Sequence, residues 1–234
     1  MSPGTSPAEI EFSSSTGRAR DDVAEILAAD DPQALERAAH VLRAGGLVAF
    51  PTDTVYGVGC LAGEAQAIAH LFEVKGRARN KAIAILMADP SDWTLVAETI
   101  PESAAQLARR FWPGALTLIV PRHADLPAVL GPNPTIGVRI PDYALARDLV
   151  RAAGPLAVTS ANRSGGLNPK TAADVEDEIG SGVELILDGG PAPGGEPSTV
   201  VDCTMEPPVW VRGGPISLAD LRTVVPVRGP SSLR

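Results

Sequence analysis

Residues 47–59 read Leu-Val-Ala-Phe-Pro-Thr-Asp-Thr-Val-Tyr-Gly-Val-Gly, and the stretch changes from apolar to polar at its proline. The first four residues are apolar without interruption, which predicts a strand buried on both faces of a sheet. The following residues predict a loop that leaves the strand at the sheet edge and ends in two glycines. Thr52, Thr54 and Tyr56 alternate along this loop, so an extended backbone would direct their hydroxyls to one side. An ordinary turn that carries hydroxyl groups would give the same pattern.

Helices and strands alternate on both sides of this stretch. Asp31-Pro32 predicts a helix start, with an N-cap residue followed by proline, and Gly45-Gly46 predicts the end of that helix. Thr171 and Asp174 have the spacing of a capping box at the start of a later helix. Further helices are predicted over 64–73, from Pro90, over 102–111 and after a cap formed by Ser217 and Asp220. Further strands are predicted over 83–87, 116–120, 136–140, 156–159, 184–187, 199–203 and 209–212.

The order of these elements predicts the fold class. The last strands follow one another without helices between them, which indicates a mixed sheet. Short apolar strands interspersed with helices predict an α/β domain, in which helices flank one twisted sheet.

Size and composition limit the class of protein. The 234 residues suit one domain over 22–225, with a flexible leader over 1–21 and a flexible tail over 226–234. The net charge of −8 argues against a broad surface that grips nucleic acid through its phosphates. Cys60 and Cys203 lie in apolar stretches and form no CxxC or Cys/His cluster, so we expect buried thiols and no metal site. No apolar run of about 18 residues and no signal peptide is present, which predicts a cytoplasmic location away from membranes.

Four positive side chains lie close together after the predicted helix over 64–73, at Lys75, Arg77, Arg79 and Lys81. Such crowding is costly unless the charges are solvated or face anions. Lys75 and Arg77 flank a glycine and could point into one cleft, where arginine forks onto two oxygens and lysine acts as a point charge. A solvated basic loop would explain the same residues.

Two more polar loops follow predicted strands. Residues 159–166 read Thr-Ser-Ala-Asn-Arg-Ser-Gly-Gly, and their backbone N–H groups could bind phosphate oxygens with help from Ser and Asn side chains. This loop matches neither GxxxxGK[ST] nor GxGxxG. Residues 188–199 contain four glycines and three prolines, which suits a shaped lid over a ligand. A capped turn and a plain surface connection are the alternative interpretations of the two loops.

Together, these segments resemble the YrdC-like family, the threonylcarbamoyl-AMP synthases, in both order and spacing. The family pattern is PT[DE]xxYGxG, then KxR, then SxN, then STV after a Gly-Pro loop. The matching residues are Pro51-Thr52-Asp53-Thr54-Val55-Tyr56-Gly57, Lys75 with Arg77, Ser160 with Asn162, and Ser198-Thr199-Val200. Trp112-Pro113-Gly114 and Gly137-Val138-Arg139-Ile140-Pro141 match as well, so the resemblance covers about residues 32–216.

The resemblance implies an open twisted sheet with a concave, basic cavity, in the short form without the extra C-terminal domain of longer relatives. It implies a nucleotidyltransferase that makes L-threonylcarbamoyladenylate and pyrophosphate from L-threonine, bicarbonate and ATP, with Mg²⁺ accompanying ATP. The product would pass to a tRNA threonylcarbamoyl-transferase for threonylcarbamoyladenosine modification of tRNA. Weak binding of double-stranded RNA is a further expectation.

The resemblance also assigns roles to residues. The family's tetrad corresponds to Lys75, Arg77, Ser160 and Asn162, which are expected to act in catalysis and to bind ATP. Threonine binding is expected from Thr52, Thr54, Tyr56, Lys81 and Arg139, and further ATP contacts from Thr117, Ser198 and Arg212. The chain departs from the pattern at Ala78 and Ala82, where the family commonly has proline, so the loop around Lys81 is expected to be less rigid.

Two other functions stay open at this point. The first is a non-catalytic YrdC-like module that binds RNA or assists ribosome maturation, against which the net charge and the aromatic content of 4% argue. The second is a carbamoyl-transfer enzyme that uses carbamoyl phosphate, although such domains usually belong to much larger chains.

Overall fold

The computed structural model describes residues 23–229 of the chain. Its strands are β1 (Glu25–Ala28), β2 (Val48–Phe50), β3 (Gly57–Leu61), β4 (Ala84–Leu86), β5 (Leu116–Pro121), β6 (Thr135–Arg139), β7 (Leu156–Ser160), β8 (Leu185–Asp188), β9 (Thr199–Asp202) and β10 (Val209–Arg212). Its α-helices are α1 (Ala34–Arg43), α2 (Ala65–Val74), α3 (Trp93–Val96), α4 (Glu102–Phe111), α5 (Ala144–Ala153), α6 (Ala172–Ile179) and α7 (Leu218–Arg222). Short 3₁₀ helices lie at Pro90–Asp92, Ala128–Leu130 and Gly180–Gly182.

The strands form one open sheet in the order β1-β8-β2-β3-β7-β4-β6-β5-β9-β10. β8 runs parallel to β1 and β2, β4 runs parallel to β6, and β5 runs parallel to β9. The other neighbouring pairs are antiparallel. The predicted α/β fold, with one mixed sheet and flanking helices, is therefore confirmed.

Helices cover the two faces of the sheet unequally. On one face, α2, α4, α6 and α7 bury Ile68, Leu107, Val175 and Leu221 in the larger apolar cluster. On the other face, α1 and α5 pack against β2 and β8 in a smaller cluster, to which β5, β6 and β9 contribute no residue. Within residues 23–229, the second face therefore has no helix layer over β5, β6 and β9, and this opening positions the site described below.

The predicted elements are present, with their ends within a few residues. α4 spans the predicted residues 102–111, and the capping boxes that begin at Thr171 and Ser217 are confirmed. The predicted start of α1 is wrong, because the helix begins at Ala34 after Gln33 as its N-cap. Asp31 instead accepts a hydrogen bond from the Gln33 backbone N–H at 2.8 Å, which forms a turn before the helix.

Among the α-helices and strands of residues 23–229, those not predicted from the sequence are β1, β3 and α5. β3 lies inside the stretch predicted as a loop, because its glycines allow it to pack closely against β7. A Cβ on Gly59 would lie only 2.8 Å from the Ala157 carbonyl oxygen. β1 reads Glu-Ile-Leu-Ala; in the described chain it pairs with β8 at the sheet edge and is largely exposed, so no buried apolar face marks it as a strand.

The ends of the described chain and its cysteines complete the fold. The predicted leader over 1–21 lies outside the described residues. Residues 226–229, predicted as part of the tail, contact β10. The backbone N–H of Trp210 donates to the Arg228 carbonyl at 2.9 Å, and Val227 is buried. Cys60 and Cys203 are buried free thiols, as predicted. Within residues 23–229, no helix combines the length and the apolarity needed to cross a membrane.

Candidate active site

A cavity of about 330 Å³ opens on the part of the sheet that α1 and α5 leave uncovered. Side chains alternate between the faces of a strand, so residues in register on neighbouring strands share one face. Leu86 of β4 is in register with Arg139 of β6, and both line the cavity. The other lining residues from strands are Gly57, Ala84, Thr117, Ile119, Gly137, Val158, Thr159, Ser160, Val200 and Arg212. Loops contribute Thr52, Thr54, Val55, Arg77, Ala82, Ile83, Asn168, Pro197 and Ser198.

Two of the lining residues are glycines, which leave room in the cavity because they have no side chain. A Cβ on Gly57 would lie 2.8 Å from Val158 Cγ1, and one on Gly137 would lie 3.0 Å from Thr117 Cγ2. Such distances are too short for an ordinary carbon contact. Larger residues at either position would therefore disturb the neighbouring strand.

Three guanidinium groups, from Arg77, Arg139 and Arg212, converge on the cavity. Burial lowers the pKa of each, and the charge of Arg212 further lowers the pKa of Arg77 and of Arg139. No carboxylate is among the lining residues of the described chain. The cavity therefore holds desolvated, mutually repelling cations, and an anionic ligand would relieve both costs.

Arg139 is fixed at three of its nitrogens. Nε donates to the Gly114 carbonyl at 2.9 Å, Nη1 donates to Thr54 Oγ1 at 3.0 Å, and Nη2 donates to the Asp53 carboxylate. The side chains of Arg139 and Asp53 are only 7% and 13% exposed. Asp53 partly offsets the lowering of the Arg139 pKa that burial causes.

Two pairs of hydroxyl groups line the cavity next to arginines. Thr52 and Thr54 are hydrogen-bonded through their hydroxyls at 2.9 Å, and Thr54 also accepts from Arg139. Thr117 and Ser198 form a second pair at 2.8 Å, and Arg212 donates to the Ser198 carbonyl at 2.7 Å. The Thr52 hydroxyl donates to the Val55 carbonyl at 2.8 Å, so Thr54 donates to Thr52. The Thr117–Ser198 pair keeps one rotatable donor beside a positive charge, which suits the oxygens of an anionic ligand.

Lys75 lies beneath the cavity rather than in its wall. It is 2% exposed, and its ammonium group donates to the carbonyls of Ser160 and Asn162. Burial, and then the charge of Arg77, lowers the pKa of Lys75 to about 8, while Glu178 acts in the opposite direction. Ser160 in turn donates its hydroxyl to Asn162 Oδ1 at 2.6 Å. The structure therefore brings the four tetrad residues together, with Arg77 and Ser160 in the wall and Lys75 and Asn162 behind them.

Tyr56 and Lys81, predicted to lie near threonine, do not line the cavity. The Tyr56 hydroxyl donates to the Gly190 carbonyl at 2.8 Å inside the apolar core. Lys81 is exposed, and its carbonyl accepts a hydrogen bond from Arg77 Nε at 3.3 Å. Arg77 also donates to the Ala82 carbonyl at 2.8 Å, so it ties down the loop in which alanine replaces proline.

The structure adds three polar residues that the sequence does not assign to the site, one of which is Thr159 of β7. Asp53 lies between Thr52 and Thr54, which are both predicted site residues, so its position in the PTDT motif could have indicated that it belongs to the site. Asn168 lines the cavity and follows two glycines and an exposed leucine, a context that gives no signal of function. Within residues 23–229, no group of three His, Cys, Asp or Glu side chains is placed to hold a metal ion.

Fold and site together define an α/β protein with an open mixed sheet and a cationic cavity suited to anionic ligands. The Sua5/YciO/YrdC family model, described as telomere recombination, matches residues 40–214. The chain belongs to this family, and the resemblance stated from its motifs is confirmed.

Individual relatives agree with the family. The threonylcarbamoyl-AMP synthase of Bacillus subtilis is 40% identical over 207 residues, which are 87% of this chain and 60% of that protein. A Mycobacterium tuberculosis relative that carries the same name provisionally is 37% identical over 206 residues, 86% of this chain and 95% of its own length. The structure of Pyrococcus abyssi Sua5 complexed with L-threonine has a TM-score of 0.80 at 39% identity, and covers 83% of this chain and 58% of that one. The chain thus spans about three fifths of the Bacillus and Pyrococcus proteins.

Proposed function

We propose that this chain is a threonylcarbamoyl-AMP synthase, which forms threonylcarbamoyl-AMP and pyrophosphate from L-threonine, bicarbonate and ATP. The observation that carries the proposal is the convergence of Arg77, Arg139 and Arg212 on a cavity that no carboxylate lines within the described chain. The names of the relatives and the threonine bound to Pyrococcus Sua5 support the choice of substrates.

The charges of the reactants explain why the cavity is cationic. The threonine amine forms a bond to the bicarbonate carbon and water leaves, which yields an N-carboxylate. An oxygen of that carboxylate attacks the α-phosphorus of ATP, and pyrophosphate departs. Every reactant is anionic or becomes so, and the reactants therefore repel one another. The enzyme mainly needs fixed cations, which offset this repulsion and align the attack.

The geometry suggests how the residues share these roles. Arg77 and Arg212, with Thr117 and Ser198, would hold ATP phosphates, and Mg²⁺ would enter with ATP as its counter-ion. Thr52, Thr54 and Arg139 would hold threonine. Ser160 would contact the nucleotide, while Lys75 and Asn162 would fix its loop. Tyr56 and Lys81 lie outside the cavity wall, and their positions give no support to direct threonine contacts.

Four further features belong to the same proposal. The enzyme would be a nucleotidyltransferase, and its product would pass to a tRNA threonylcarbamoyl-transferase. Weak binding of double-stranded RNA and a cytoplasmic location would accompany this role.

Pyrophosphate release from ATP, with each substrate omitted in turn, tests the proposal. Release should require both threonine and bicarbonate, and carbamoyl phosphate should not replace them. Arg77→Ala should lower kcat/KM at least tenfold, which corresponds to about 1.4 kcal/mol of barrier. Arg79→Ala is the matched control, since Arg79 is exposed, lies 3.7 Å from Glu73 and does not line the cavity. Release that ignores threonine, or equal effects of the two substitutions, would exclude the proposed function.

A further inference from the structure

The arginines of the cavity differ in how their charges are balanced. Arg139 is paired with the buried carboxylate of Asp53. Arg77 and Arg212 have only carbonyl and hydroxyl oxygens as hydrogen-bond partners within the described chain. The Asp53–Arg139 pair therefore carries almost no net charge, whereas Arg77 and Arg212 present positive charges that no carboxylate of the described chain balances by a hydrogen bond.

This difference separates two kinds of ligand. A polyphosphate gains most from the unbalanced charges of Arg77 and Arg212. A zwitterionic amino acid carries no net charge, and its carboxylate needs a fixed donor pair more than an excess of positive charge. The Asp53–Arg139 pair has this character, because Arg139 is bonded at three nitrogens and still has N–H groups to offer.

The backbone at Asp53 and Thr54 is itself held by the loop over 188–199. The Gly195 N–H donates to the carbonyl of Thr54 at 2.6 Å. A Cβ on Gly194 would lie 2.6 Å from the Asp53 carbonyl oxygen, so the loop packs directly on this backbone. A carboxylate on a backbone fixed in this way can orient a buried guanidinium.

We propose that Asp53 is a positioning residue for the amino-acid substrate: it acts through Arg139, whose guanidinium it orients toward the substrate carboxylate and whose charge it balances. The inference deepens the proposed function and rests on it. Asp53 would leave the binding of ATP by Arg77 and Arg212 unaffected, because it is hydrogen-bonded to neither of them.

Asp53→Asn tests this role, since it keeps a hydrogen-bond acceptor but removes the charge. The KM for threonine should rise at least tenfold, whereas the Kd for ATP, measured by calorimetry without threonine, should stay within twofold. In the Arg139→Gln background, the same substitution should change the KM for threonine by less than twofold, because its effect passes through Arg139. Arg212→Ala is the opposite control and should weaken ATP binding.

The outcomes separate this inference from the proposed function. If the wild-type protein shows no threonine-dependent pyrophosphate release, both are overturned. If the wild-type protein is active, the inference alone is overturned by an unchanged KM for threonine, by equal losses for ATP and threonine, or by the same effect in both backgrounds. If Asp53 had a purely structural role, its substitution would lower the melting temperature without raising the KM for threonine selectively over the Kd for ATP. If Asp53→Asn does not fold, Asp53→Glu moves the charge by one methylene. That variant should likewise raise the KM for threonine and leave the Kd for ATP unchanged.

Discussion

At the scale of single residues, burial changes what a cation can do. The sequence presents Lys75 as a point charge for phosphate, but the folded chain turns its ammonium group toward two backbone carbonyls. The Ser164 N–H also donates to the Lys75 carbonyl at 2.8 Å, so both ends of this residue hold the loop over 160–166. Lys75 therefore shapes the wall that Ser160 presents to the cavity.

The lowered pKa of Lys75 predicts a pH dependence of stability. The pKa falls from 10.5 to about 8 on folding, because burial and Arg77 disfavour the charged form. Between these values the unfolded chain binds more protons, so the free energy of unfolding should rise with pH. The cost of burying the charged Lys75 ammonium group is fully present below about pH 8. It is relieved toward pH 10.5, which should raise the free energy of unfolding by on the order of 3 kcal/mol in total.

Urea unfolding of the wild-type protein and of Lys75→Met, at intervals from pH 7 to 10.5, measures this contribution. The stability of the wild-type protein relative to the variant should increase across that range. Lys81→Met, at an exposed position on the same loop, controls for the loss of a lysine. A difference between wild type and Lys75→Met that does not vary with pH would contradict the expected linkage.

At the scale of elements, the loop over 188–199 is fixed by contacts along its length and forms part of the cavity wall. Its start is held by two tyrosine hydroxyls, from Tyr56 to the Gly190 carbonyl and from Tyr143 to the Gly189 carbonyl. Its middle packs on Asp53 and Thr54 through Gly194, and its end supplies Pro197 and Ser198 to the cavity wall. Because the loop is held along its length, its shape determines where the wall lies.

Gly194→Ala should therefore disturb both stability and threonine binding. The new Cβ would lie 2.6 Å from the Asp53 carbonyl oxygen and 2.9 Å from Thr54 Cα, both backbone atoms that cannot easily move away. We expect a loss of about 1–3 kcal/mol, seen as a lower midpoint in thermal unfolding, together with a raised KM for threonine. Gly63→Ala is the matched control, because a Cβ there meets nothing within 4 Å. Similar behaviour of the two variants would show that the loop is free to shift.

At the scale of the whole molecule, positive charge is local while the chain as a whole is acidic. The net charge is −8, yet three arginines line one cavity of about 330 Å³. The cavity lies over β5, β6 and β9, where no helix of the described part of the chain covers one face of the sheet. Small anions can enter this opening, whereas a long polyanion would also meet the acidic surface.

Binding of duplex RNA should consequently be weak. In fluorescence anisotropy with a labelled 20-base-pair duplex at physiological salt, we expect a Kd no tighter than about 10⁻⁴ M, the weak end of non-specific binding. ATP titrated under the same conditions provides the comparison, since it is the ligand proposed for the cavity. Micromolar RNA binding without ATP turnover would favour the non-catalytic RNA module instead.

Local patterns predict the elements well, because they depend on neighbours in sequence. α4 and the capping box at Thr171 follow from helical spacing and from side chains three residues apart. β3 also pairs with β2 directly before it, but its glycines are explained by close contact with β7, about a hundred residues later in the chain, so it is missed. The places of Lys75 and Tyr56 are missed for a similar reason, since the partners that hold them lie 85 and 134 residues away.

The amino-acid sequence by itself determined the α/β class, most helices and strands, and the set of motifs that identify the family, because these depend on residue type and short spacing. Only the tertiary structure decided which motif residues face the cavity. It turned Lys75 and Tyr56 away, paired Arg139 with Asp53 and brought Arg77 close to Arg212. The direction of a side chain at the end of a strand depends on the register of neighbouring strands and on which face a helix covers. Both are settled by long-range packing, which no short stretch of sequence contains.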